Sequence, residues 1–238
     1  MSDDNVHWIA DIVAHTKSAA GLPPRWGEEA TPLTPEEEME DAPWPARLRS
    51  GMTTAELLPY GAGALVTDDE ETHELVRLVA KPVDAPGGRI TVCDPVSMAW
   101  QGPPTQLELK GDLLPVEVAV IRYATARGEL VRPCVAVVGD VSAVESWVEP
   151  PVPSTRLSID VGCGAFIAAD DVALVAAKAD ELTTELDRQG VFTVEVEDRV
   201  SGVLFASGDG PGDYEMLVGR GRGARPVALL VDLRVLSR

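Results

Sequence analysis

Val203-Leu204-Phe205-Ala206-Ser207-Gly208-Asp209-Gly210-Pro211-Gly212-Asp213-Tyr214-Glu215-Met216-Leu217-Val218 sets two short apolar runs around three alternating glycines, two aspartates and a proline. Apolar runs broken by such a cluster predict strand, tight loop, strand. Glycine at every second position lets backbone N–H groups crowd one point, because no Cβ obstructs the approach. That geometry suits either an anion cradle or a strained connection between strands. The strand-to-helix context of a phosphate loop is missing.

Outward from this stretch the same grammar recurs. Ser158-Ile159-Asp160-Val161 runs into a second glycine site, Gly162-Cys163-Gly164, which Phe166-Ile167 continues. The turn Pro86-Gly87-Gly88 leads into Arg89-Ile90-Thr91-Val92-Cys93, which ends at Asp94-Pro95. Residues 64–67, 74–80, 106–110, 115–123 and 130–138 read as further strands, with Ala126-Arg127-Gly128 turning the chain between the last two. Beyond Gly219-Arg220-Gly221-Arg222-Gly223, residues 226–236 form a near-continuous apolar strand. Hairpin spacing throughout predicts antiparallel pairing.

Residues 171–189 predict a helix, since Val172, Val175, Ala179, Leu182 and Leu186 step by three and four into one apolar stripe. Asp170 is the expected cap and Gly190 the expected C′ residue. A brief helix is expected within 140–149, around Val144 and Trp147. The fold class expected is α+β: mainly an antiparallel β-sandwich or curled sheet over 63–236, with one covering helix and an N-terminal helical arm.

Residues 1–62 read as that arm. Trp8, Ile9, Ile12 and Val13 recur at helical spacing between Asp3 and Ala20. The stretch from Gly21 to Trp44 is proline-rich and acidic, with a capping-box start at Thr34-Pro35-Glu36-Glu37. Thr54 to Leu58 adds a helical turn. His7 and His15 lie about two turns apart on the first helix, with no third ligand to make a metal site.

Composition bounds the function. A 238-residue chain with 45% hydrophobic residues and mean hydropathy of +0.03 fits a soluble globule with its own core. No apolar run approaches the ~20 residues of a membrane-spanning helix. The acidic start Met1-Ser2-Asp3-Asp4 lacks a basic-then-apolar leader, and Cys93, Cys134 and Cys163 are too few for a disulfide framework, so a cytoplasmic protein is expected. Net charge is −19, which repels nucleic acid and anionic membranes and favours a basic protein partner. The basic cluster is Arg220, Arg222 and Arg225. No metal or other cofactor is expected.

Three stretches, in order, resemble the bacterial domain-of-unknown-function family 4241. Gly88-Arg89-Ile90-Thr91-Val92-Cys93-Asp94-Pro95 is similar to its "SG-hydrophobic-hydrophobic-CDP" strand. Ile159-Asp160-Val161-Gly162-Cys163-Gly164-Ala165-Phe166 is similar to its "VDSGTGCF" segment. Ser207 to Tyr214 is similar to its "SGWGDGxY", and Arg225 to Leu233 to the strand that follows. The resemblance spans about residues 63–236 and implies architecture rather than a reaction. Asp209 stands where the family has Trp, and Pro211 where it has Asp. Proline cannot replace a carboxylate in acid–base chemistry or metal binding.

Asp94, Asp160, Asp209 and Asp213 lie within or beside these motifs. Clustered carboxylates perform general acid–base chemistry or bind a hard cation; alternatively each caps a turn by accepting backbone N–H bonds. Cys163, between two glycines, reads as a nucleophile with room around it or as a packed small residue. Two function classes follow. The first is a non-enzymatic binding protein, immunity- or accessory-like, engaging a protein through its acidic surface and through Cys163, Ser207, Gly208, Gly210, Gly212 and Tyr214. The second is a carboxylate-dependent hydrolase or isomerase acting on a small molecule with Asp94, Asp160, Asp209 and Asp213. If the motifs form one site, the loops at 94–97, 160–164 and 207–214 meet at one end of a sheet.

Overall fold

The computed structural model describes residues 50–58, 65–68, 71–98, 104–125, 128–150, 156–208, 210–233 and 235. The N-terminal helix and acidic arm expected over residues 3–44, and Asp209, lie outside the described residues. The elements are helix α1 (Thr54–Leu57), strands β1 (Leu65–Asp68), β2 (Glu71–Glu74), β3 (Val76–Asp84), β4 (Arg89–Cys93), β5 (Thr105–Glu108), β6 (Leu113–Thr125), β7 (Gly128–Gly139), β8 (Ser146–Val148), β9 (Arg156–Ile159) and β10 (Cys163–Ala168), helix α2 (Val172–Gln189), and strands β11 (Val191–Val196), β12 (Arg199–Ala206), β13 (Gly212–Arg220) and β14 (Pro226–Asp232).

Every described strand pair is antiparallel. One sheet runs β11-β12-β10-β4-β5; the other runs β3-β6-β7-β14-β13-β8, with β9 also paired to β13; β1 and β2 form a separate ladder. The two-residue period of a strand divides the side chains. On β6, Val116, Val118 and Val120 enter one apolar cluster, while Ala119 and Ile121 enter another. The first cluster takes Ile90, Phe166, Val203 and Phe205 from the five-stranded sheet and Val138, Tyr214, Met216 and Leu229 from the larger one, so the two sheets share it. Phe166 and Phe205 sit there with ring centroids 5.0 Å apart, and a Cβ on Gly164 would come within 2.4 Å of the Phe205 ring.

Each sheet also covers its outer face. On the five-stranded sheet, Cys93, Cys163, Ala165, Ile167, Val194 and Leu204 pack with Val175 and Leu186 of α2. Val175 and Leu186 of the expected stripe therefore face the sheet, the side chains of Ala179 and Leu182 lie outside the described ones, and α2 ends at Gly190 with a left-handed φ of 70°. Its start differs from expectation. The N-cap is Asp171, whose side chain makes no cap hydrogen bond. Asp170 instead binds the guanidinium of Arg89 and Asp171 that of Arg199, because a charge-assisted bond outcompetes a neutral N–H.

On the larger sheet's outer face, Leu57 and Leu58 pack with Ala119, Ile121, Val137, Trp147 and Leu230. The brief helix expected around Val144 and Trp147 is corrected: a 3-10 turn occupies Val141–Ala143, and Trp147 lies in β8. Strand geometry lets Trp147 bury its ring while Nε1 donates to Thr54 Oγ1 at 3.0 Å and its carbonyl accepts from Gly51 N. The segment around α1 is thus tied to the sheet edge by polar and apolar contacts together. Among the described residues, no helix is long and apolar enough to cross a membrane.

Candidate functional site

The opening loop is shorter than its sequence implies. β13 begins at Gly212, so Gly212, Asp213 and Tyr214 are strand residues, and β12 and β13 belong to different sheets. The loop is a crossover between layers rather than a hairpin. Its glycines have separate reasons. A Cβ on Gly208 would lie 2.2 Å from Val235 Cγ2 and 2.6 Å from the Pro133 carbonyl oxygen, so only glycine fits. Gly210 has φ of +89° with open space around it. Gly212 has neither demand. Arg132 Nε donates to the Gly208 carbonyl at 2.8 Å, and the Tyr214 hydroxyl donates to the Gly210 carbonyl. The Ser207 N–H donates to Gly162 O at 2.8 Å, and its Oγ is buried without a hydrogen bond. The Ser207 N–H is therefore spent inside the fold and unavailable to an anion.

Asp94 is fully buried, and four backbone N–H groups converge on its carboxylate. Oδ1 accepts from Val96 at 2.9 Å and Ser97 at 3.3 Å; Oδ2 accepts from Asp160 at 2.9 Å and Val161 at 3.0 Å. The Asp-Pro sequence at the end of β4 thus does more than cap its own turn. It clamps the 94–97 loop to the 160–161 loop, while Ser207 ties the 207–208 segment to Gly162. On the adjoining strands, Gly212 pairs with Ile159 and Asp213 with Ser158, whose Oγ donates to Asp213 Oδ1. The three motif loops meet through these bonds.

Among the described residues, the motif side chains do not all line one cleft. Asp94 points into backbone and has no oxygen free of donors. Asp160 and Asp213 are exposed. Tyr214 is buried in the cluster between the sheets. Cys163 corrects the expectation of a roomy loop: Gly162, at φ +78°, ends the loop, and Cys163 opens β10 opposite Ala206, only 1% exposed among the residues under α2. Burial and the nearby Asp94 charge push the Cys93 thiol up to about 12. A nucleophilic thiolate is disfavoured in such surroundings. Among the described residues, no three His, Cys, Asp or Glu side chains gather as a metal site would require.

Two contributors escaped the sequence reading, Ser158 and Arg132. Each acts through a partner that only the topology supplies: Asp213 across the β9–β13 ladder, and Gly208, 76 residues later in the chain. No local signal marks either.

The surface charge has a pattern of its own. Arg77 pairs with Glu117, Lys81 with Glu195, Arg89 with Asp170, Arg122 with Glu129 and Arg199 with Asp171. These five sheet cations are paired, and Glu108, Glu145, Glu149, Glu197 and Asp198 are exposed carboxylates. Glu197 and Asp198 stand at the tip of the β11–β12 hairpin with φ of 50° and 63°. Compared with protein-family models, with curated proteins and with solved structures, the chain matches none.

Proposed function

We propose that this chain is a non-enzymatic binding protein that engages a basic protein partner through its acidic surface, in the manner of an immunity or accessory protein of a bacterial cytoplasm. The observation that carries the reading is the surface charge: five cations of the sheets lie in ion pairs, Glu108, Glu145, Glu149, Glu197 and Asp198 are exposed, and the chain carries a net charge of −19. A field of that sign steers a basic partner toward the surface and repels polyanions. The state of the motif residues supports the same reading. Asp94 is saturated by backbone donors, Cys93 and Cys163 are buried, and Asp160 and Asp213 are exposed beside the joined loops, where a partner can reach them. The facing sheets are read as a β-sandwich that holds these loops.

The test is affinity capture with the full chain from a bacterial lysate, followed by purification of the captured protein and measurement of the complex across a salt series. The expected partner is basic, and its affinity falls steeply with ionic strength, because exposed charges are screened beyond about 8 Å at physiological salt. A complex that ignores salt overturns the charge argument.

A further inference from the structure

The outer face of the larger sheet carries a cavity of about 740 Å³, and no residue of the three motif loops lines it. Its walls come from separate elements. Ala55 and Leu58, on α1 and just after it, form one side; Val141 and Val144, within and just after the 3-10 turn, form another. Glu117 lies on the same face of β6 as Ala119 and Ile121, and Arg77 lies on the neighbouring strand β3. Both walls are fixed before any ligand arrives. Leu57 and Leu58 anchor α1 in the apolar cluster that holds Trp147, and Trp147 Nε1 donates to Thr54 Oγ1. Asp140 N donates to Val227 O at 2.8 Å, and Gly139, at φ +102°, sits where a Cβ would come within 2.2 Å of that same oxygen. Only glycine fits there, so the start of the 3-10 turn is held against β14.

Three charged side chains line the cavity, the cation of Arg77 and the carboxylates of Glu117 and Asp140. Arg77 Nε donates to Glu117 Oε2 at 2.7 Å and Nη2 to Oε1, so these two charges answer each other through both carboxylate oxygens. Asp140 is the charge left over. Its Oδ1 accepts from Ser142 N at 3.1 Å and from Ser142 Oγ at 2.5 Å, which fixes the carboxylate, and its Oδ2 accepts no hydrogen bond from the described residues. We propose that this cavity binds a small organic cation, an ammonium group on an apolar body, with the ammonium at Asp140 and the body against Leu58, Val141 and Val144. Small-molecule sites have this character: a pre-formed hollow of roughly 300–1,000 Å³, largely apolar, with a few polar groups that set orientation. A ligand carboxylate would meet Asp140 and would have to draw Arg77 away from Glu117. The net charge of −19 also raises the local concentration of a cation. The site is independent of the protein-binding surface proposed above.

The experiment titrates the full chain by calorimetry at low salt with three probes that share one apolar body: phenethylammonium, neutral phenethyl alcohol and anionic hydrocinnamate. Phenethylammonium is expected to bind, the alcohol more weakly and hydrocinnamate most weakly. Asp140→Asn keeps an acceptor for Ser142 N and is expected to bind phenethylammonium about fivefold more weakly, the effect of one exposed ion pair. Ala55→Phe fills the cavity from α1 without changing charge and is expected to abolish binding at an unchanged melting temperature. Glu197→Gln, at the β11–β12 hairpin tip and outside the cavity, is expected to match the parent. The proposal is overturned if the parent chain does not bind phenethylammonium, if hydrocinnamate binds as tightly, or if a folded Asp140→Asn or Ala55→Phe variant binds like the parent. It is also overturned if Glu197→Gln loses as much as Asp140→Asn, which would mark attraction of any cation to an acidic surface.

Discussion

Asp94 Oδ2 accepts the backbone N–H of Asp160 at 2.9 Å, across 66 residues of chain. With Val161, Val96 and Ser97 on the same carboxylate, one buried side chain holds two motif loops together. Asp94→Ala leaves those four donors unsatisfied and is expected to cost about 3 kcal/mol, within the range for orphaning buried polar groups. Asp94→Asn retains one acceptor oxygen and is expected to lose less. Urea unfolding checks both, and an alanine variant within about 0.5 kcal/mol of the parent refutes the clamp.

Gly208 and Gly210 of the crossover loop and Gly212 of β13 are expected to separate under substitution. Gly208→Ala drives a methyl into Val235 and the Pro133 carbonyl, and about 1–3 kcal/mol should be lost to overpacking. Gly210→Ala meets open space but a left-handed φ, with an expected cost of about 1 kcal/mol. Gly212→Ala has neither problem and should be nearly silent. Thermal melts of the three single variants show whether that order holds.

Burial and the nearby Asp94 carboxylate push the Cys93 thiol up to about 12 from an ordinary value of 9.0. Its neutral form is favoured by folding, so its contribution is fully present below pH 9.0 and is lost as pH rises toward about 12. Stability should therefore fall across that alkaline window with a slope of up to about 1.4 kcal/mol per pH unit from this group. At pH 8, iodoacetamide should leave Cys93 and Cys163 unmodified until the chain is unfolded. Rapid native-state labelling followed by mass spectrometry is the contrary result.

Two ion pairs near the start of α2 differ in burial. Arg199→Ala strands the Asp171 carboxylate, whose side chain is 3% exposed, and is expected to cost about 2–3 kcal/mol. Arg89→Ala removes a pair with both partners more than half exposed and is expected to cost under about 1 kcal/mol. Equal losses in denaturant titrations would contradict this ranking.

Local features were legible in the sequence. The stripe through Val175 and Leu186 and the terminal Gly190 mark α2, alternation marks β6, and turn signals bound β4 and β7. Pairing between distant strands was not legible. Alternation tells which face a residue occupies, yet it cannot say that β12 and β13 belong to different sheets, nor that β14 lies between β7 and β13. Trp147 resembled a helical residue because β8 is only three residues long, too short to display a period. The site shows the same division. Asp94 carried a recognisable turn signal in Val96 and Ser97, but its bonds to Asp160 and Val161 depend on β4 pairing with β10. Cys163 looked roomy between glycines because nothing local reveals that α2 covers it.

The proposed binding role of the acidic surface is tested most directly on the double variant Asp160→Asn/Asp213→Asn. Its affinity for the captured basic partner is measured at low salt beside its unfolding free energy. Both carboxylates are exposed, so stability should stay within about 0.5 kcal/mol of the parent. Affinity should fall about fivefold, the loss expected from removing two charges at an electrostatically guided interface. Unchanged affinity in a fully folded variant would contradict the proposal that the joined loops and their carboxylates form the partner-binding surface.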